Sequence, residues 1–377
     1  MGAALAAWAG FRDRMLGNPD FRRWASAVPG LRAISRRQSR RLFDLVAGFT
    51  YSQVLLACVR LDLFERLAAG PLPLEDIARE CALPAESADI LVRAAISLDL
   101  LEWRTGKRVG LGMLGSVMVD NPALSALVRH HQAVYEDLVD PLLRLREPDR
   151  PTQLRNYWAY AREGPNRGEK RLDTGAVSEY SELMSASQPL VAEQVLQAYD
   201  FSRHRRVLDV GGGQGTFLSH VARAHPHLAL QLFDLPAVAE LAQARLAQSG
   251  LGSRVECSGG SFFQDSLPTG ADLITLVRVA YDHPDDRVRL ILSAIRKALR
   301  PAGGHLLLAE PLSGTPGAQA MGDAYFGLYL LAMGKGRARS AERLSVLMLE
   351  AGFVEVRALP TRLPLQTGML LARAEPG

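Results

Sequence analysis

From residue 205 onward the chain alternates short apolar runs with amphipathic stretches. Arg206–Val210, Ala229–Phe233, Arg254–Ser258, Ala271–Val277 and Gly304–Glu310 are runs of five to seven residues. Between them, Thr216–Ala224, Ala237–Ser249 and Asp286–Leu299 carry apolar residues at helical spacing. Strands alternating with helices at this spacing predict a parallel, doubly wound α/β sheet. Ligands of such sheets bind beyond the carboxyl ends of the strands. Two further runs, Val354–Leu359 and Thr367–Arg373, predict a terminal antiparallel pair.

The N-terminal half follows another pattern. Leu42–Phe49 and Val54–Phe64 are apolar with helical spacing. Gly70–Pro84 reads as turn, short helix and turn, Ala85–Leu101 as a helix, and Trp103–Val109 as a small hairpin. Helices followed by a hairpin describe a winged helix, which can read DNA or serve as a packing module. Its second helix, Ala88–Ser97, has only Arg93 as a basic residue, which argues against nucleic acid. Residues 121–200 continue helical, and the pattern changes between about 185 and 203. The expected organisation is an arm over 1–41, a helical winged-helix domain over 42–190 and an α/β domain over 191–377.

Composition narrows this further. The net charge is only +4, yet residues 1–41 hold nine arginines against Asp13 and Asp20. Trp8, Phe11, Leu16, Phe21 and Trp24 lie among those arginines. A basic segment of this kind lies on an anionic membrane surface, or packs on the body or a partner chain. No uninterrupted run of about 18 apolar residues is present, so no membrane span is expected. Cys58, Cys81 and Cys257 are odd in number and widely spaced, which suits a reduced, cytoplasmic setting. The eight histidines show no metal-ligand spacing, and no metal is expected.

The richest motif is Arg206-Val-Leu-Asp-Val-Gly-Gly-Gly-Gln-Gly-Thr216. Glycines after a strand let a ligand approach the backbone, and the following helix aims its N–H groups into the same space. A dinucleotide fingerprint from Gly211 would need glycine where Thr216 stands. Instead Asp209 sits in the strand end, and Asp234 closes the next strand, where it can accept from a ribose diol or cap the following helix. Acids around the turn suit a sulfonium better than a pyrophosphate. The turn therefore predicts S-adenosylmethionine, with Asp209, Gly211, Gly213 and Asp234 binding it.

The ordered motifs Leu208–Gly215, Phe233-Asp-Leu-Pro236, Gly259-Gly-Ser-Phe-Phe263, Arg278–Asp285 and Leu299–Gly304 resemble those of the cation-independent small-molecule O-methyltransferases. Leu61–Leu67, Leu74–Ala78 and Leu98–Glu102 resemble that family's N-terminal dimerisation domain. The likeness spans about residues 42–375 and implies a class I methyltransferase fold and a homodimer. Asp44–Gln53, Ser185–Pro189, Tyr281–Pro284, Glu310–Gly317 and Gly322–Gly334 resemble the branch acting on carotenoids in purple photosynthetic bacteria. That resemblance implies methylation of a tertiary hydroxyl on a hydroxyneurosporene- or demethylspheroidene-type carotenoid, by an enzyme in the cytoplasm or peripheral on the inner membrane. Alternative readings are a methyltransferase of bacteriochlorophyll or aromatic polyketides, and a non-catalytic S-adenosylmethionine-binding regulator.

Matched position by position, the chain departs from its family. The family's base is a histidine followed by aspartate; here the pair is Tyr281-Asp282. A family acid before an Arg-Ser pair is replaced by Ala338. The third family acid matches Glu310. A tertiary alcohol is a weak acid, so desolvation and alignment are expected to carry the reaction, with Tyr281 orienting the hydroxyl and Asp282 or Glu310 accepting its proton late. His283, two positions past the matched site, inherits no base role. Ser261 stands where the family has an aspartate serving the adenine, and Phe262 is expected to pack on that ring. Arg278 matches an arginine of bacterial relatives and is expected to contact the cofactor, the other reading being a pair with Asp282 or Asp286. Tyr180, Met184, Tyr325, Phe326, Tyr329 and Met333 are the expected acceptor pocket, the last four lying on one helix face.

Overall fold

The computed structural model describes residues 2–157, 188–299, 301–362 and 367–377. Tyr180 and Met184 lie outside the described residues. The chain divides into two compact units, Met1–Asn121 and Pro122–Gly377.

In the first unit, helices α1 (Gly2–Gly17), α2 (Pro19–Ala27) and α3 (Pro29–Arg60) follow one another with a proline opening each of the latter two. Proline suits a first helical turn because its missing N–H needs no partner there. From Gly2 the basic segment is thus helical, and its last part is the start of α3. The two apolar stretches predicted as separate helices are one continuous element, since nothing between Phe49 and Val54 breaks a helix. The α3 helix also changes the membrane expectation. It contains an 18-residue window of mean hydropathy 1.6, long and apolar enough to cross a membrane by composition alone. Polar residues such as Asp44 and Gln53 interrupt the apolar run without lowering its average enough.

Next come α4 (Leu63–Ala68), β1 (Leu72–Pro73), α5 (Leu74–Glu80), α6 (Ala85–Ser97), β2 (Leu101–Arg104), β3 (Arg108–Leu111) and α7 (Met113–Met118). The three strands form a small antiparallel sheet in the order β1-β3-β2 beside α5 and α6, the winged-helix arrangement. The predicted helix over 85–101 ends at Ser97, because Asp99 adopts a left-handed φ of 56° and turns the chain into β2.

The second unit opens with α8 (Pro122–Asp137), α9 (Pro141–Arg146) and α10 (Gln153–Tyr157). Sequence patterning grouped this segment with the N-terminal domain. By packing it belongs with the second unit: Thr152 Oγ1 donates to the Ala332 carbonyl at 2.7 Å, and Leu154 is buried beside Tyr329 and Met333.

Helix α11 (188–198) leads into β4 (Arg206–Val210), α12 (Thr216–Ala224), β5 (Ala229–Asp234), α13 (Pro236–Gln248), β6 (Val255–Gly259) and β7 (Leu273–Val277). Then follow α14 (Asp285–Leu299), β8 (Gly304–Glu310), α15 (Phe326–Met333), α16 (Ala341–Glu350), β9 (Val354–Leu359) and β10 (Gly368–Ala374). The sheet order is β6-β5-β4-β7-β8-β10-β9, and β4 to β8 are parallel. The antiparallel pair closes the edge, with Glu310 opposite Gly368. Every residue of β7 is buried, as a strand covered by helices on both faces requires. Helix α14 shows why the pattern folds so: Val288, Ile291, Leu292, Ile295 and Leu299 form one buried stripe. Its first turn carries Asp285 and Asp286 and its last Arg296 and Lys297, each complementing the helix dipole. The chain order reverses about β4, so a crevice opens beyond the carboxyl ends of β4 and β7.

Candidate active site

The glycine turn lies in that crevice. Gly211 has φ +70°, and a Cβ there would stand 2.6 Å from Val279 Cγ2. Gly213 also has a left-handed φ, +55°, but nothing lies within 4 Å of where its Cβ would be. The turn is thus closed beneath and open above, a cradle for a ligand. Asp234 Oδ2 accepts the Gly213 N–H at 2.8 Å, and its Oδ1 accepts from Leu235 N at 2.7 Å. It does not cap α13, whose N-cap is Leu235. Asp209 accepts from Thr275 Oγ1 at 2.7 Å. Burial pushes Asp209 up to about 7, with Asp234 adding repulsion, and burial pushes Asp234 up to about 6. Both carboxyls therefore gain from a cation or hydrogen-bond donors in the crevice. Thr216 Oγ1, at the start of α12, is buried with no hydrogen-bond partner. These groups fit a cofactor bearing a sulfonium and a ribose.

Beyond β6, Ser261 forms its own turn. Its N–H donates to Asp265 at 2.8 Å, and its Oγ accepts from Phe263 N. Phe262 meets Phe263 edge-on at 4.6 Å, and both rings meet His283 edge-on. Burial lowers His283 to about 4, helped by Arg287 and Arg339. His283 is thus a neutral wall of this side.

Beyond β7, Arg278 adopts φ +58°, a strained conformation for a non-glycine residue and one characteristic of functional sites. Its guanidinium donates to the Tyr281 hydroxyl and faces the Asp282 carboxyl. Residues 280–282 form a single buried turn. Glu310, fully buried at the end of β8, accepts the Tyr281 N–H at 3.0 Å. Burial raises Tyr281 above the ordinary phenol range, Asp282 well above the carboxylate range, and Glu310 to about 7. One oxygen each of Asp282 and Glu310 is buried without a partner.

Arg339, 2% exposed, holds this turn from behind. It pairs with Asp285 at 2.7 Å and donates to the carbonyls of Ala280, His283 and Arg337. In the sequence, the Arg339-Ser340 pair stands out only for the missing acid before it.

The described pocket candidates come together. Tyr325, Phe326, Tyr329 and Met333 share one cluster with Tyr281. Phe326 meets the Tyr281 ring edge-on at 6.3 Å, and Tyr325 and Tyr329 stack at 5.7 Å. Tyr325 ends a segment of wide π turns, Ala320–Tyr325, an irregularity that often marks functional helices. Two residues not expected from sequence join them: His130 Nε2 lies 2.9 Å from Tyr329 Oη, and His131 Nε2 lies 2.8 Å from Tyr325 Oη. Their adjacency on an otherwise ordinary helix carried no motif.

Residues 152–354 match the O-methyltransferase domain family, and residues 43–121 match the O-methyltransferase dimerisation domain. The chain belongs to this O-methyltransferase family. It is 41% identical over 92% of its length to the demethylspheroidene O-methyltransferase of Cereibacter sphaeroides, covering 90% of that protein. It is 39% identical over 92% of its length to the enzyme of the same name from Rhodobacter capsulatus, covering 84% of it. The crystal structure of LaPhzM superposes with a TM-score of 0.72 and 26% identity, over 89% of this chain and 99% of that one. This O-methyltransferase is accordingly S-adenosylmethionine-dependent, has the class I methyltransferase fold and carries the family's dimerisation domain.

Proposed function

We propose that this enzyme methylates the tertiary hydroxyl of a carotenoid of the hydroxyneurosporene or demethylspheroidene type, in spheroidene-type carotenoid biosynthesis. The observation that carries the reading is the 41% identity, sustained over 92% of the chain, to an enzyme named for such an acceptor. The aromatic lining of Tyr325, Phe326 and Tyr329, continued by Met333, suits an apolar chain.

S-adenosylmethionine supplies an electrophilic methyl on a sulfonium. Asp209, Gly211, Gly213 and Asp234 would hold it in the crevice, and Ser261 and Phe262 would serve its adenine. Tyr281, Asp282 and Glu310 form the reacting wall. Because Arg278 donates to Tyr281 Oη, the tyrosine's own proton points away from it, toward the acceptor oxygen. Tyr281 thus orients the alcohol as a donor. Glu310 fixes the Tyr281 backbone, and Arg278 acts through Tyr281 and Asp282. The two carboxyls accept protons only above the pH at which they ionise, and burial has moved that pH upward. Exclusion of water and alignment of the oxygen with the methyl supply most of the acceleration.

We read the working unit as a homodimer in the cytoplasm, touching the membrane that holds its acceptor. The apolar window of α3 overlaps the dimerisation domain match, so its exposed side chains, among them Leu45 at 82% and Phe49 at 72%, suit a subunit contact rather than a span. Upstream, Trp8 and Trp24 are 61% and 55% exposed among arginines, which suits an anionic surface.

The test is incubation with methyl-labelled cofactor and a panel of hydroxycarotenoids, bacteriochlorophyll precursors and phenols. Label in the hydroxycarotenoid is expected. Incorporation into phenols alone overturns the assignment.

A further inference from the structure

His130 and His131 on α8 face the aromatic wall, each within hydrogen-bond distance of one of its tyrosines. Consecutive helical residues differ by about 100° in direction. They reach two tyrosines four apart on the facing segment, and the tyrosine rings are stacked at 17°. Two parallel tyrosine–histidine pairs therefore border the space next to Phe326 and Tyr281. Nothing in the roles of Tyr281, Asp282 and Glu310 uses them.

We infer that Tyr325 and His131 form the route by which the acceptor's proton leaves, with the Tyr329–His130 pair holding the tyrosines in register. The inference rests on the O-methyltransferase reading of the site, not on the identity of the acceptor. Tyr281 Oη already accepts from Arg278, whose charge disfavours a second proton there, whereas Tyr325 Oη lies 2.8 Å from a neutral imidazole. Tyr325 is half-buried, whereas Tyr329 is buried. Burial raises Tyr325 to about 12, so it rests protonated and conducts a proton rather than storing charge. Burial lowers His131 below the ordinary imidazole value, so it rests neutral and able to accept. Among the described residues, the charged and titratable groups around the pair include His130 and Tyr135 on α8, Tyr329 on α15, and Arg278, Tyr281 and Asp282 beyond β7.

The step balances as follows. The acceptor oxygen attacks the methyl carbon, and the carbon–sulfur pair goes to sulfur. The acceptor's O–H bond breaks and its proton passes to Tyr325 Oη. The tyrosine's original proton passes to His131 Nε2. The positive charge of the sulfonium ends on the imidazolium, and the half-buried ring releases it to water.

The test compares His131→Gln and Tyr325→Phe with the wild-type full chain, on an acceptor that the wild type methylates. His131→Gln keeps a hydrogen-bond acceptor but cannot take a proton. Both are expected to lower kcat on the order of 10²-fold, with acceptor KM and cofactor Kd within about twofold. The wild-type acid limb of kcat is expected below pH ~6.5, moving toward about 7 in His131→Gln as the Glu310 carboxyl becomes the remaining acceptor. Nitrogen-15 NMR of the ligand-free protein is expected to show His131 neutral at pH ~7 with Nε2 unprotonated. Variants within about threefold of wild-type kcat overturn the route, as does a protonated Nε2, or a wild-type limb near pH ~7 that Glu310→Gln alone abolishes. Wild-type turnover of phenols but not hydroxycarotenoids removes the carotenoid reading while the variants still judge the route. The NMR tautomer judges it even if no acceptor on the panel is methylated.

Discussion

Asp234 Oδ2 accepts the Gly213 N–H at 2.8 Å, tying the end of β5 to the open arch of the glycine turn. The cofactor cradle is thereby set before any ligand arrives. Asp234→Asn keeps an oxygen for Gly213 but loses the charge that two hydroxyl donors would find. Asp234→Ala loses both. Cofactor affinity by calorimetry is expected to fall by about tenfold for the first and roughly a hundredfold for the second, at 1.5–3 kcal/mol per charged hydrogen bond.

Asp209 makes a stability prediction. Burial raises its folded-state value to about 7 from an ordinary 3.8, so the folded state binds the proton more tightly than the unfolded chain. The stability this contributes is fully present below pH ~4 and is lost as pH rises toward about 7. Asp234 and Glu310 have the same sign. The ligand-free enzyme should therefore unfold at lower denaturant at pH 8 than at pH 6. Asp209→Asn can still accept from Thr275. It should gain on the order of 1–3 kcal/mol at pH 8 and flatten the pH slope. A variant less stable than wild type at pH 8 would contradict the sign.

Strands and helices of the α/β unit were legible because each is a run of one period, apolar throughout for the covered strands and 3.6 for α14. The glycine turn was legible because a strand, an acid and four glycines occur within ten residues. Tyr281 stood out as a departure at a matched position. Four things escaped. Asp99 turned the chain early, because local left-handed residues leave little mark in a pattern. Residues 122–157 joined the second unit through Thr152 and the α8 histidines, which are tertiary contacts. His130 and His131 gained meaning only from Tyr325 and Tyr329, nearly 200 residues away in the chain. Arg339 looked like one arginine among many, yet it is almost fully buried.

Arg339 should be among the most sensitive residues in the protein. Its guanidinium satisfies Asp285 and three carbonyls of the turns around Tyr281. Truncation strips this donor from the three carbonyls and leaves Asp285 paired with Arg343 alone, at a cost of about 1–3 kcal/mol. Arg339→Ala is expected to lower the denaturation midpoint accordingly. Arg339→Lys should recover only part, since an ammonium cannot span the same carbonyls.

The basic arm predicts binding to anionic vesicles. The full chain should sediment with phosphatidylglycerol vesicles at low salt and not with phosphatidylcholine alone. Binding should weaken steeply as salt rises, because each arginine near the surface contributes about 1 kcal/mol that is screened within a Debye length. Deleting residues 1–40 should abolish sedimentation. Unchanged sedimentation would remove the arm from membrane contact.

Tyr281 separates orientation from base catalysis. Its hydroxyl oxygen is taken by Arg278 and its backbone by Glu310, so its proton is the one group it can offer. Tyr281→Phe keeps the ring against Phe326 and removes only that donor. A lost donor of this kind is worth about 1–3 kcal/mol, so kcat should fall by roughly 10- to 100-fold. The acid limb of the pH profile should stay where it is, because burial holds this phenol protonated throughout the accessible range. A limb that moves in Tyr281→Phe would instead make Tyr281 the proton acceptor. Unchanged turnover would leave its ring as a wall of the pocket and nothing more.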